Sequence, residues 1–217
     1  MKSGILYTMI IKYKIRFFSV ILAFSMFMSL LIGVKFQSQW LNNLNLVGQQ
    51  LIQHRSAFAD VSFTYITQLG SVTFTLILTV ILSLFFIYQK QYRLLAFLLV
   101  NVILFAGVVT QIIKHLVRNP RPIPQLLSEH GYSFPSGHTM IAILLYGTLI
   151  IIIQTKMKNS LLKYITIMMF LILIIAIPTS RIYVNVHYPS DILAGLTLGY
   201  GLLSISKHLF QIGDKHT

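Results

Sequence analysis

Two histidines, three cations and one carboxylate fall into three short stretches of an otherwise apolar chain. These are Lys114-x6-Arg121-Pro122, Pro135-Ser136-Gly137-His138 and Ser180-Arg181-x5-His187-x3-Asp191. Such a set can hold a phosphate, attack it through one imidazole and protonate the departing group with the other. Lys114 brings a point charge, whereas the guanidinium forks of Arg121 and Arg181 can each bond two phosphate oxygens at once. Pro120 and Pro122 restrict the loop that presents Arg121. Ser136 and Gly137 lead into an apolar run, and a helix start there offers unpaired backbone N–H groups and the positive end of a dipole. The Ser136 hydroxyl can donate to an oxygen, and Gly137 lets the backbone come close. His187 precedes Asp191 by four positions, with Pro189 suited to the first turn of a helix. A carboxylate bonded to one ring nitrogen fixes the tautomer and leaves the other nitrogen free to attack.

Each piece alone has a blander explanation. Lys114 reads as a snorkelling residue at a span end, Arg118 and Arg121 as loop charges, and Ser136 as a helix N-cap. An isolated His187–Asp191 contact would only tie a loop to a helix. The combination favours chemistry, because two of seven histidines and one of only four acids (Asp60, Glu129, Asp191, Asp214) accompany the cations. His54, His115, His130, His208 and His216 have no comparable context and read as interfacial or tail residues.

The elements that must position these groups are set by composition. Of 217 residues, 56% are hydrophobic and 10% charged, with a mean hydropathy of +0.78. Soluble domains carry about 25% charged residues, so the solvent of this chain is a bilayer. Its length suits one domain over residues 1–217, with the motifs inside 114–191. The absence of cysteine excludes disulfides, thiolate nucleophiles and cysteine-ligated metals. A two-metal phosphatase needs clustered carboxylates; the motifs offer Asp191 with Glu129 nearby, so neither metal nor cofactor is expected. The net charge of +13 flanks apolar runs instead of forming one stripe, which points to anionic membrane lipids as partners and excludes nucleic acid.

Six apolar runs are long enough to cross a membrane: Phe17–Val34, Ser71–Tyr88, Leu94–Ile113, Thr139–Gln154, Tyr164–Pro178 and Ile192–Lys207. The first lacks a following small-residue cleavage site and reads as a retained helix. With a cytoplasmic N-terminus, the inner side holds Lys2, Lys12, Lys14, Arg16, Lys90, Arg93, Lys156, Lys158, Lys163, Lys207 and Lys215. The outer side holds Lys35, Arg55, Lys114, Arg118, Arg121 and Arg181. Eleven against six obeys the positive-inside bias, so both termini are expected in the cytoplasm and every motif on the outer face. The connection from Lys35 to Gly70 interleaves Trp40, Leu41, Leu44 and Leu51 with Asn and Gln. It predicts an interfacial amphipathic helix after the first span, anchored by Trp40, that either guides lipid headgroups or caps the bundle. Gly195-x3-Gly199 permits close helix packing within the bundle or between copies, and oligomeric state is open. The expected fold is an all-α integral membrane protein of six transmembrane helices.

The ordered motifs K-x6-R-P, P-S-G-H and S-R-x5-H-x3-D resemble the signature of the type 2 phosphatidic acid phosphatase family, whose wider superfamily includes glucose-6-phosphatase and vanadium-dependent haloperoxidases. The signature covers Lys114–Asp191 and every position is present; the six-span layout extends the likeness over nearly the whole chain. The resemblance implies that His187 is the nucleophile, forming a phosphohistidine, that Asp191 orients it, and that His138 protonates the leaving oxygen and then helps activate water. It implies phosphate binding by Lys114, Arg121, Ser136, Gly137 and Arg181, and independence from magnesium.

The expected function is hydrolysis of a phosphomonoester or pyrophosphate on a membrane lipid, with phosphatidylglycerophosphate, undecaprenyl pyrophosphate, phosphatidic acid and diacylglycerol pyrophosphate as family candidates. The small form resembles bacterial members, which favours the first two. Two other readings stay open: phosphotransfer to an acceptor other than water, and a membrane protein that only binds or transports phospholipid. The absence of ionisable residues near span centres argues against transport.

Overall fold

The computed structural model describes residues 2–213, with side chains from Lys14 onward. Lys2, Lys12, Asp214, Lys215 and His216, all used in the charge and histidine assignments above, therefore lie wholly or by their side chains outside the described residues. All regular structure among the described residues is helical. The elements are α1 (Lys2–Lys35), α2 (Gln39–Ile52), α3 (Ala57–Gln68) and α4 (Val72–Tyr88), followed by α5 (Tyr92–Val117), α6 (Gly137–Lys156), α7 (Leu161–Tyr183) and α8 (Pro189–Leu209). Within α5 and α6 the stretches Val100–Val109 and Ala142–Tyr146 widen into π-type turns.

Five of these helices are long and apolar enough to span a bilayer. A sixth crossing arises only if α3 and α4 count together, since they form one apolar path bent by 42° at Leu69–Ser71. The expected second span, Ser71–Tyr88, corresponds to α4, which passes as a crossing only together with α3, as a broken span or a re-entrant loop. Ser71 caps α4 by accepting from the Phe74 N–H. The lipid-facing surface is apolar: Phe17, Phe18, Ile77, Ile81, Leu84, Ile165, Ile172 and Ile175 are all exposed, as expected where hydrocarbon is the solvent.

Inside the bundle, α6 is the most enclosed span. α8 closes on it through small residues. A Cβ added at Gly195 would stand 2.9 Å from Thr139 Cβ and 3.1 Å from the Ser136 carbonyl oxygen, and one at Gly199 3.0 Å from Ile143. The Gly195-x3-Gly199 pair therefore serves packing inside the chain, and it brings the second and third motifs together. On its other side α8 receives α1, where Gly201 meets the ring of Phe24 and Tyr200 Oη lies 2.9 Å from Ser19 Oγ. At the end opposite the motifs, Arg93 donates to the Phe210 and Gln211 carbonyls and so clasps the end of α8.

The long connection after α1 folds as two helices instead of one. α2 carries the expected amphipathic pattern, with Leu41 and Asn45 buried and Trp40, Leu46, Val47 and Leu51 exposed. It does not float free: Gly48 abuts Pro189 at the start of α8. α3 runs along the last turns of α7, stacking Phe63 on Tyr183 with ring centroids 4.4 Å apart.

Candidate active site

The three motif segments converge at one end of the bundle. The Ser136 N–H donates to the Asp191 carbonyl at 3.1 Å, and Arg121 Nη1 lies 3.2 Å from His187 Nε2. His187 and Asp191 are both fully buried, at 1% and 0% exposure, in the tight passage from α7 to α8. Pro189 opens α8 as expected, and Asp191 sits in its first turn. There Asp191 Oδ2 accepts the Tyr188 N–H at 2.9 Å and faces His187 Nδ1 at 3.3 Å.

The partners of His187 fix its tautomer. A guanidinium has only donors, so Nε2 must be the bare nitrogen facing Arg121, and Nδ1–H donates to Asp191. Burial, joined by the positive charges of Lys114, Arg181 and Arg121, pushes His187 well below its usual pKa. The imidazole is therefore neutral near pH 7, with its lone pair on the side of the cations.

Arg181 is as enclosed as the histidine, and Lys114 and Arg121 slightly less so. Arg121 donates to the Gly131, His130 and Val186 carbonyls at 2.9 to 3.3 Å. Burial pulls its pKa down, yet an arginine so shifted stays charged. Arg181, 1% exposed, donates through Nη1 to Thr67 Oγ1 at 2.7 Å and through Nη2 to Glu129; its Nε is buried with no acceptor. Lys114 reaches the Tyr132 and Ser133 carbonyls. Ser136 is an N-cap, its Oγ accepting from the Thr139 N–H at 3.4 Å, which leaves its hydroxyl hydrogen available. A Cβ at Gly137 would meet only Thr110, at 3.9 Å, so there is open space at the start of α6. His138 follows on the same turn, with its Cδ2 3.1 Å from where a Cβ of Gly70 would sit. All eight expected residues thus belong to one cluster. Among the described residues no group of three or more His, Asp or Glu side chains is arranged to hold a metal.

The family model described as "PAP2 superfamily" matches residues 93–213, more than half of the chain and all three motifs. The chain belongs to this superfamily. Phosphatidylglycerophosphatase B of Bacillus subtilis (strain 168) is 31% identical over 161 residues, covering 70% of this chain and 76% of that protein. The crystal structure of a transmembrane PAP2 type phosphatidylglycerolphosphate phosphatase from Bacillus subtilis superposes with a TM-score of 0.77 at 24% identity. That match covers 92% of this chain and 100% of the other and shows the shared fold. Aquifex aeolicus LpxE follows with a TM-score of 0.59 and 28% identity, over 75% of this chain and 94% of its own. The protein is a multi-pass membrane enzyme of the PAP2 type, a phosphatase acting on lipid phosphates.

Behind the signature of this PAP2 phosphatase stands a set of residues that no motif announces. The end of α3 and the turn after it back the Arg181 and His138 side of the site. Thr67 holds Arg181, the Leu69 carbonyl accepts from Tyr146 Oη at 2.7 Å, and Gly70 leaves room for His138. The turn carrying His187 is braced by Asn185, in the left-handed region at φ 54°. Its Oδ1 accepts from Gln49 of α2 and from Gln53 just after it, and its Nδ2 donates to the Pro124 carbonyl. Asn45 Oδ1 accepts the Ser190 N–H at 2.9 Å. These contacts give α2 the role of a cap on the catalytic end. Glu129, noted in the sequence only as a nearby acid, lies against both Arg181 and Arg121.

Proposed function

We propose that this chain works as one transmembrane unit that hydrolyses a terminal phosphate or pyrophosphate on a membrane lipid, without metal, through a phosphohistidine. The observation that carries this reading is the doubly held His187, with Asp191 on Nδ1 and a guanidinium on Nε2. Lys114, Arg121 and Arg181, with Ser136 and the Gly137 backbone, receive the phosphoryl oxygens. Nε2 attacks phosphorus, an N–P bond forms and the P–O bond to the lipid breaks. His138 gives its proton to the leaving oxygen, and Asp191 stabilises the positive imidazole. His138 then takes a proton from water, which attacks phosphorus, releases phosphate and restores His187. Charge spread over the equatorial oxygens is met by fixed cations, the effect expected to dominate phosphoryl transfer.

The B. subtilis relative named phosphatidylglycerophosphatase B favours phosphatidylglycerophosphate as substrate, and the excess of Lys and Arg on the alternate connections supports an active site on the extracytoplasmic face. The test is phosphate release by the purified protein in detergent with a chelator. Phosphatidylglycerophosphate, phosphatidic acid, diacylglycerol pyrophosphate and undecaprenyl pyrophosphate are compared, beside His187→Ala. Release from the first above the others, lost in the variant, supports the reading. Release that needs added magnesium or survives His187→Ala sinks it. Phosphorylation of an added alcohol in place of free phosphate would replace hydrolysis by transfer.

A further inference from the structure

The elbow at Leu69–Ser71, where α3 meets α4 at 42°, holds no motif residue, yet it and the turn before it touch three separate neighbours. Thr67 Oγ1 accepts from Arg181 Nη1 at 2.7 Å, with both side chains buried. Of the two partners of Arg181, Thr67 is the fixed one, since the Glu129 side chain is 31% exposed. The Leu69 carbonyl accepts from Tyr146 Oη at 2.7 Å, on the helix that carries His138. That carbonyl is free because α3 ends there; a continuous helix would have used it in its own ladder. Gly70 has no Cβ, and one added there would lie 2.6 Å from Ile177 Cγ2 and 3.1 Å from His138 Cδ2. Ile177 is itself fully buried, so a side chain at position 70 would press on the imidazole.

We propose that this elbow is a positioning element for the reaction: Thr67 aims the Arg181 fork at the phosphoryl oxygens, and Gly70 sets where the His138 imidazole lies. The inference rests on the reading above, in which Arg181 binds phosphate and His138 protonates the leaving oxygen. The two supports act on different parts of the transition state. Arg181 meets charge on the equatorial oxygens, which is present whatever group departs. His138 gives a proton to the departing oxygen, and that help matters less as the oxygen becomes a better leaving group. Support of Arg181 and support of His138 are therefore separable by substrate, whereas general loosening of the bundle would act on all substrates alike.

The test measures kcat of the purified full chain in detergent on two substrates. One is phosphatidylglycerophosphate, the other a nitrophenyl phosphate bearing a long alkyl chain, whose leaving group departs without a proton. Thr67→Val keeps the shape and removes the acceptor, while Thr67→Ser keeps the acceptor. Thr67→Val is expected to lose about tenfold or more on both substrates, and Thr67→Ser to stay within about threefold of wild type. Gly70→Ala is expected to lose about tenfold or more on the lipid and less than about threefold on the aryl phosphate. The thermal transition shows whether each variant is folded, and the Thr67 pair decides alone if Gly70→Ala is not. Thr67→Val at the wild-type rate, or Thr67→Ser as slow as Thr67→Val, would overturn the inference. A Gly70→Ala loss equal on both substrates would overturn it too. His138→Ala and Arg181→Ala are the controls. Equal losses on both substrates in His138→Ala, or full activity in Arg181→Ala, would instead withdraw the roles given to those residues above, and the inference with them.

Discussion

His187 has each ring nitrogen committed to a different neighbour, and that arrangement sets what single substitutions should do. Asp191→Asn keeps an acceptor for the Tyr188 N–H, so the turn stays capped, but the amide no longer dictates the imidazole tautomer. A fall in kcat of roughly 10²- to 10⁴-fold with an unchanged thermal transition is expected, by analogy with the orienting carboxylate of hydrolase triads. Arg181→Lys replaces donors that engage Thr67 and Glu129 by one point charge, and a rate loss of about 10²-fold or more is expected in phosphate-release assays. The pH profile carries a sign. Because His187 is pushed well below its ordinary pKa, its attacking base form persists as pH falls through about 6.5. The acid limb of kcat/KM therefore lies below about 6.5, and a limb at or above that value belonging to His187 would contradict the assignment. These motif residues were legible in the sequence because spacing near a helix start is a local property. Glu129 and Thr67 were not, since their partner Arg181 lies 52 and 114 positions away and no local pattern marks such a pairing.

Helix contacts hold the motifs in register. Gly195 and Gly199 let α8 lie against α6, and the contact falls on Thr139 and Ser136, next to His138. Gly195→Ala should force the helices apart where the second and third motifs meet. A loss of about 1–3 kcal/mol is expected from overpacking, visible as a lower thermal transition together with a lower kcat. Normal turnover in that variant would show that the register of α6 on α8 is not critical. The apolar runs and the glycine pair could be read from composition and spacing. The break at Leu69–Ser71 could not, because the residues on both sides are apolar enough to pass as one or two helices. α2 was readable as amphipathic, but its docking through Gly48, Asn45 and Gln53 depends on partners more than 100 positions away.

For the molecule as a whole, the excess of Lys and Arg on the alternate connections predicts both termini in the cytoplasm and the catalytic end outside. The sequence contains no cysteine, so single reporters can be introduced without background. In intact cells, Ser128→Cys on the motif face should react with an impermeant maleimide, whereas Lys158→Cys at the opposite end should react only after lysis. The reverse pattern would turn the molecule over and place its chemistry in the cytoplasm. Outward display would suit a substrate whose tail stays in the leaflet while its phosphate reaches the arginines.

The covalent intermediate on His187 is the claim on which the mechanism turns. Its most direct measurement is rapid mixing with phosphatidylglycerophosphate, an alkaline quench that preserves phosphoramidates, and mass analysis of the peptide containing His187. One phosphoryl group on His187 is expected, more abundant in His138→Ala given an activated leaving group, and absent in His187→Ala. Full turnover with no label on His187, or label on another side chain, would contradict the account.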